Sequence, residues 1–247
     1  MFFDKNKMDI YRYSSIGGRE ENEDSLSVFK KGRFKYCFLV ADGLGGHGGG
    51  ANASKIAVDT LGKQFMEDKL KEPEDFYLSF QEANRSILKI QTRECQMKTT
   101  LVSLIIDRKY AFWSHIGDSR LYFFVDDKLV EQTFDHSVSQ MAVIRGEIKQ
   151  EELRKHEDRN RLLRALGIKS EIKIDISEKK KLRGRRTAFL LCTDGFWEYV
   201  YETEMEETLR KCKNAKEWTA SMLQCMKNRI KEGNDNNTVI TVIIDNK

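Results

Sequence analysis

The order in which strand-like and helix-like runs follow one another constrains this chain most. Short runs rich in β-branched and aromatic residues fall at about 9–15, 25–30, 34–41, 99–106, 110–117, 119–125, 128–132, 171–176, 186–193 and 237–244. They come mostly in consecutive groups. Helical spacing appears between the early groups and before the last strand. In 50–70, Val58, Leu61 and Phe65 share a face; after Pro73, Phe76, Phe80, Ala83, Ile87 and Ile90 form a stripe; in 215–231, Trp218, Met222, Cys225 and Met226 do so. A parallel sheet needs a helical crossover for each successive strand pair. The grouping therefore predicts an α+β protein with antiparallel sheets covered by helices.

One stretch stands apart. Residues 135–170 are charge-dense, helical in pattern, and interrupt a strand-rich region, so they are expected to form an insertion over a sheet edge. "KKKLRGRR" at 179–186 reads as a solvated basic turn. No Pro-, Gly- or Ser-rich linker divides the 247 residues, and Pro73 is the only proline, so a single domain over 1–247 is expected.

Composition removes several classes. The net charge of +4 is too small and too evenly spread to argue for nucleic acid. No apolar run is long enough to span a membrane, and the N-terminus lacks a signal-peptide core, which together predict a cytoplasmic protein. The five cysteines share no C-x-x-C spacing and read as buried thiols. The four histidines, His47, His115, His136 and His156, form no H-x-x-H pattern, which argues against a His/Cys metal site.

The run "YCFLVADGLGGHGGG" at 36–50 poses a choice. Gly43 to Gly48 fit G-x-G-x-x-G, a dinucleotide-binding spacing, yet Asp42 stands directly before the first glycine. A dinucleotide fold needs a second strand soon afterwards that ends in a ribose-binding acid. The residues before Glu67 and Asp68 follow a helical period, so that strand is missing. No Gly-Lys-Ser/Thr follows, so a P-loop fails too.

A cation site fits better. "AFLLCTDGFWE" repeats the pattern with Asp194 and Gly195, Asp118 sits in a tight turn between two strand-like runs, and Asp235 just precedes the last strand. If these four aspartates converge, two carboxylates about 4 Å apart repel by roughly 4 kcal/mol at an effective dielectric near 20. Such a cluster must protonate or bind cations, and all-oxygen ligands select Mg²⁺ or Mn²⁺ over zinc. The Gly43 carbonyl is a candidate ligand. A centre with two divalent ions is net positive, suits a phosphate, and needs no protein nucleophile, because a water bridging the ions attacks phosphorus in line. Arg19, in "GGREENEDS", is the candidate phosphate clamp, followed by Glu23 and Asp24.

These motifs, with "TTLVSLII", "HIGDSRLYFF", "QTFDHSV", "IRGEI", "NRLLRALG" and "DNNTVITVI" in the same order, span nearly the whole chain. The chain resembles the metal-dependent Ser/Thr protein phosphatases of the PPM (protein phosphatase type 2C) family, most of all its compact bacterial-type members. The resemblance implies an α-β-β-α sandwich of two antiparallel sheets between helical layers, with the 135–170 insertion as a flap beside the active site. It implies two Mn²⁺ or Mg²⁺ ions bridged by Asp42. Asp194 and Asp235 complete the first ion and the Gly43 carbonyl serves the second. Glu23 and Asp24 act through water, and Asp118 with Glu198 form a third, weaker metal site. It further implies phosphoserine and phosphothreonine hydrolysis on proteins, opposite a Ser/Thr kinase, by a monomer without nucleic-acid or membrane partners. Three departures stand out: Leu44 replaces a histidine proposed as general acid, Lys98 replaces a glycine before the Thr-Thr pair, and Glu157 replaces a flap proline. Two competing readings are a catalytically silent phosphoprotein-binding module on the same fold and a nucleotide-dependent oxidoreductase.

Overall fold

A computed structural model describes residues 7–45, 49–230 and 232–245. In chain order the elements are β1 (Lys7–Ser15), β2 (Ser25–Lys31), β3 (Lys35–Ala41), β4 (Gly43–Leu44), α1 (Gly49–Met66), α2 (Asp75–Ile90), β5 (Lys98–Thr99), β6 (Leu101–Asp107), β7 (Tyr110–Ile116), β8 (Arg120–Val125) and β9 (Lys128–Gln132). Then come α3 (Val138–Ile144), a 3₁₀ turn (Gln150–Lys155), β10 (Asp175–Ile176), β11 (Lys180–Lys181), β12 (Arg186–Cys192), α4 (Asp194–Trp197), α5 (Glu202–Lys211), α6 (Ala215–Lys227) and β13 (Asn237–Asp245).

Two antiparallel sheets carry the fold. One has the order β1-β13-β12-β8-β9; the other has the order β10-β7-β6-β3-β2, with β11 also on β7. The central strands are apolar on both faces because both faces are covered. In β3, Phe38 and Val40 point into the layer between the sheets, against Val102, Leu104, Phe189 and Ile240. Cys37, Leu39 and Ala41 point the other way, onto Ala53, Ala57 and Leu61 of α1. In β12, Phe189 and Leu191 face the inner layer, while Ala188, Leu190 and Cys192 meet Met205, Trp218 and Met222 of α5 and α6. The result is the α-β-β-α layering expected from the sequence.

Four local expectations are corrected. The 135–170 stretch is mostly irregular: only 138–144 is α-helical, with a 3₁₀ turn at 150–155. It buries few apolar side chains, Ala142, Leu153, Ala165 and Leu166, so no continuous apolar face holds a long helix in place. Strand 171–176 shrinks to Asp175–Ile176. The basic turn contributes Lys180–Lys181 to the edge of β7. Three helices, not one, precede the last strand, the single turn α4 and the longer α5 and α6; α5 was masked by charge, since it buries only Met205 and Leu209. The end of the predicted 215–231 helix includes Lys231, which lies outside the described residues, as do Gly46, His47 and Gly48. No described helix is long and apolar enough to cross a membrane.

Candidate metal and phosphate site

The acids singled out in the sequence meet at one end of the two sheets. Asp42 follows β3 directly, and its backbone is fastened to the 99–100 segment: Thr100 Oγ1 accepts from Asp42 N at 2.9 Å, and Thr100 N and Thr99 Oγ1 donate to Asp42 O at 2.9 and 2.8 Å. Thr100 Oγ1 also lies 2.7 Å from Ser119 Oγ, beside Asp118. The Asp42 corner of one sheet is thus tied to the Asp118 turn. Asp194 opens α4 after β12, and Asp235 precedes β13, the neighbour of β12.

Both Asp-Gly corners need their glycine. A Cβ on Gly43 would run into the Gly50 carbonyl oxygen, and one on Gly195 into the Asn236 carbonyl oxygen. The chain can pass this close only without a side chain.

The segment carrying Arg19, Glu23 and Asp24 is held by a residue that sequence reading passed over. Asn236 Oδ1 accepts from Glu23 N at 2.8 Å, while its Nδ2 donates to the carbonyls of Ile16 and Glu21 at 2.8 and 3.0 Å. Glu23 Oε1 accepts from Gly50 N at 3.1 Å at the start of α1, where the helix end favours a carboxylate. Thr193 Oγ1 donates to Asp24 Oδ2 at 2.9 Å, linking Asp24 to the Asp194 corner. Asn236 and Thr193 each directly adjoin a predicted aspartate, the one signal that could have found them. Arg19 Nη2 reaches Asp235 Oδ2 at 2.7 Å.

The cluster is electrostatically strained. Burial, then the carboxylates of Asp194, Asp24, Asp118 and Asp235, push the Asp42 carboxyl well above the usual range. Burial and then Asp118 and Glu198 do the same to Asp194. Asp24 is pushed up to about 7 mainly by burial, against hydrogen bonds from Thr238 and Thr193. Asp118 is pushed up to about 7 by burial and Asp135. Glu23 and Glu198 are raised by burial as well. Two carboxylate oxygens, Oδ1 of Asp24 and Oδ1 of Asp194, are buried without a hydrogen-bond partner. A buried oxygen in that state costs about 1–3 kcal/mol, more if charged. Glu198 alone is engaged from the flap, by Arg159 Nε at 2.6 Å. Arg154 anchors the same flap to Glu202 and to the carbonyl of Trp197. A cavity of about 350 Å³ opens over Arg19, Glu23, Asp42, Gly43 and Asp235, with Glu20, Glu21 and Leu44 also on its wall.

A different grouping was invisible in sequence spacing. His115, His136 and Asp175 place candidate ligand atoms within 4.8 Å of one another, with the two rings stacked at 4.6 Å. Hydrogen bonding opposes a metal there. Gly117 N donates to His136 Nδ1 at 3.2 Å, which leaves the proton on Nε2, the atom facing Asp175 Oδ1 at 3.3 Å. A metal ligand would need a lone pair at that nitrogen.

Comparison with solved structures defines the class. Serine/threonine phosphatase Stp1 from Staphylococcus aureus matches with a TM-score of 0.84 and 26% identity, over 96% of this chain and 94% of that one. The catalytic domain of the serine threonine protein phosphatase PstP, solved with 2 manganese ions, matches with a TM-score of 0.79 and 26% identity, over 98% and 100% of the two chains. The fold is that of these phosphatases. More narrowly, the chain belongs to the protein phosphatase 2C family, whose model matches residues 13–235. It is similar to the serine/threonine phosphatase stp of Listeria monocytogenes serotype 4b (strain F2365), with 33% identity over 232 residues, 91% of this chain and 90% of that protein.

Proposed function

We propose that the chain removes phosphate from phosphoserine and phosphothreonine in proteins, using two Mn²⁺ or Mg²⁺ ions. The observation that carries this reading is the set of buried carboxylates with unsatisfied Oδ1 atoms on Asp24 and Asp194. These oxygens lack the partners that a purely structural buried acid requires. The donors are all oxygen, which fits a hard cation and not zinc.

In this reading Asp42 would help hold both ions, Asp194 and Asp235 one of them, and the Gly43 carbonyl the other. Glu23 and Asp24 act through water. Asp118 and Glu198 form a weaker third position, where Glu198 must share itself with Arg159. When bound, the ions supply a nucleophilic water at neutral pH and positive charge for the phosphate. The protein's own contribution is placement. Thr99 and Thr100 fix the Asp42 backbone, Thr193 orients Asp24, and Asn236 sets the Arg19–Asp24 loop against Asp235. Arg19 holds the phosphate, and its present contact with Asp235 keeps the guanidinium at the cavity mouth. Leu44 offers no proton there, so the leaving group is not protonated from that position. The protein works as a cytoplasmic monomer against a Ser/Thr kinase.

The test is hydrolysis of p-nitrophenyl phosphate and of a phosphothreonine peptide. Turnover is expected with Mn²⁺, lost in chelator and restored by added Mn²⁺. Phosphopeptide binding without phosphate release would instead support the silent-module reading.

A further inference from the structure

Resting on that phosphatase reading, the geometry points to Glu20 and Glu21 as specificity residues that favour phosphopeptides carrying Lys or Arg next to the phosphorylated residue. Both glutamates are exposed and line the same cavity as Arg19 and Asp42. Their position is fixed from below: Asn236 Nδ2 holds the Glu21 carbonyl at 3.0 Å, and the flanking Arg19 and Glu23 are tied to Asp235 and Asn236. Among the described residues, neither glutamate side chain has an ion-pair or hydrogen-bond partner in its own chain. Glu21 is close enough to Glu23 to disfavour its ionisation.

The charge balance of the mouth makes these two residues decisive. Among the described residues, the cavity wall carries Glu20, Glu21, Glu23, Asp42 and Asp235 against the single cation Arg19. Divalent ions would neutralise the deeper acids, and a substrate phosphate would take up Arg19. Glu20 and Glu21 then remain as the uncompensated charge that meets residues flanking the phosphate. Lys98 lies across the β4–β5 pair from Leu44 but is not on the cavity wall. Flanking lysine or arginine would be attracted and flanking acids repelled. Because the contact is at an exposed rim, it acts through binding and is screened by salt.

The experiment compares two phosphothreonine peptides of equal length, one with Lys or Arg on both sides of the phosphothreonine and one with Glu, using the Mn²⁺-loaded enzyme. At low salt the basic peptide is expected to have a kcat/KM about three- to tenfold higher, mainly through KM, as suits one or two screened charge contacts. The preference should shrink at about 0.5 M salt and in E20Q/E21Q, with p-nitrophenyl phosphate turnover unchanged. Equal rates on the two peptides, or a preference that survives E20Q/E21Q, would overturn the inference while leaving the phosphatase reading intact. Absence of p-nitrophenyl phosphate turnover by the unmodified enzyme would overturn both.

Discussion

Two buried charge clusters lie side by side in this fold and are treated in opposite ways. Arg120 and Asp135 are both almost fully buried, joined by two parallel bonds of 2.7 Å, and the guanidinium stacks 3.5 Å over the Trp197 ring. Trp197 in turn donates its indole N–H to the Asp118 carbonyl at 2.9 Å. Every charge in that cluster has its counter-charge within the protein. A few residues away, Asp24, Asp42, Asp118 and Asp194 crowd together with two carboxylate oxygens left bare. The difference separates a brace from a proposed receptor: the first is complete as folded, while the second crowds acids that must either hold protons or take up cations.

The sharpest way to break the contrast is to neutralise one acid of the receptor. Asp42→Asn should abolish turnover, by on the order of 10³-fold or more, yet leave the metal-free protein as stable or more stable, because it removes repulsion. Chelated melting curves check the second half; marked destabilisation there would mean that the carboxylates are not crowded.

The same operation on the brace should have the reverse outcome. Asp135→Ala leaves Arg120 buried without its bidentate partner, with the Tyr122 hydroxyl at 3.2 Å and the Glu202 carboxylate at 3.8 Å. A loss of about 3 kcal/mol is expected, near the low end for a broken buried pair, measurable by denaturant unfolding. A loss near zero would remove the distinction between the clusters.

How much of this was legible in sequence follows the same division. Asp42, Asp118, Asp194 and Asp235 could be picked out because each sits at the end of an apolar run, where an acid is costly unless it has a task. Arg120 and Asp135 could not be paired, since the contact joins β8 to the loop after β9 and no periodicity encodes it. The flap was misread as helical because charged residues have good intrinsic helix propensity. What actually holds it is tertiary: Ser137 capping α3 by accepting from Gln140 N, Arg154 on Glu202 and Arg159 on Glu198. α5 escaped for the opposite reason. Its two buried residues, Met205 and Leu209, are too few to show a stripe, although Glu204 accepts from Tyr201 N at its start.

Titration sharpens the comparison further. Asp24 and Asp118, pushed up to about 7 from an ordinary value of 3.8, bind protons more tightly when folded. Their contribution to stability is therefore fully present below about pH 4 and is lost as pH rises through 7. Metal-free protein should melt lower at pH 8 than at pH 5, by about 5 °C or more, and Mn²⁺ should reduce the gap. A melting temperature that rises over that interval would contradict the uncompensated cluster.

The smallest effect belongs to the rim. Arg19→Ala should raise KM about tenfold, or roughly 1.4 kcal/mol, with Mn²⁺-induced stabilisation little changed. Steady-state kinetics beside thermal shifts would show it, and loss of the metal response would reassign Arg19 from substrate to metal binding.

Calorimetric titration of Mn²⁺ into chelator-stripped protein tests the central point most directly. At least two ions should bind per chain, with proton release near neutral pH and with binding much reduced in Asp42→Asn. No saturable uptake, or the same uptake in that variant, would mean that the buried acids are not the receptor for the cations.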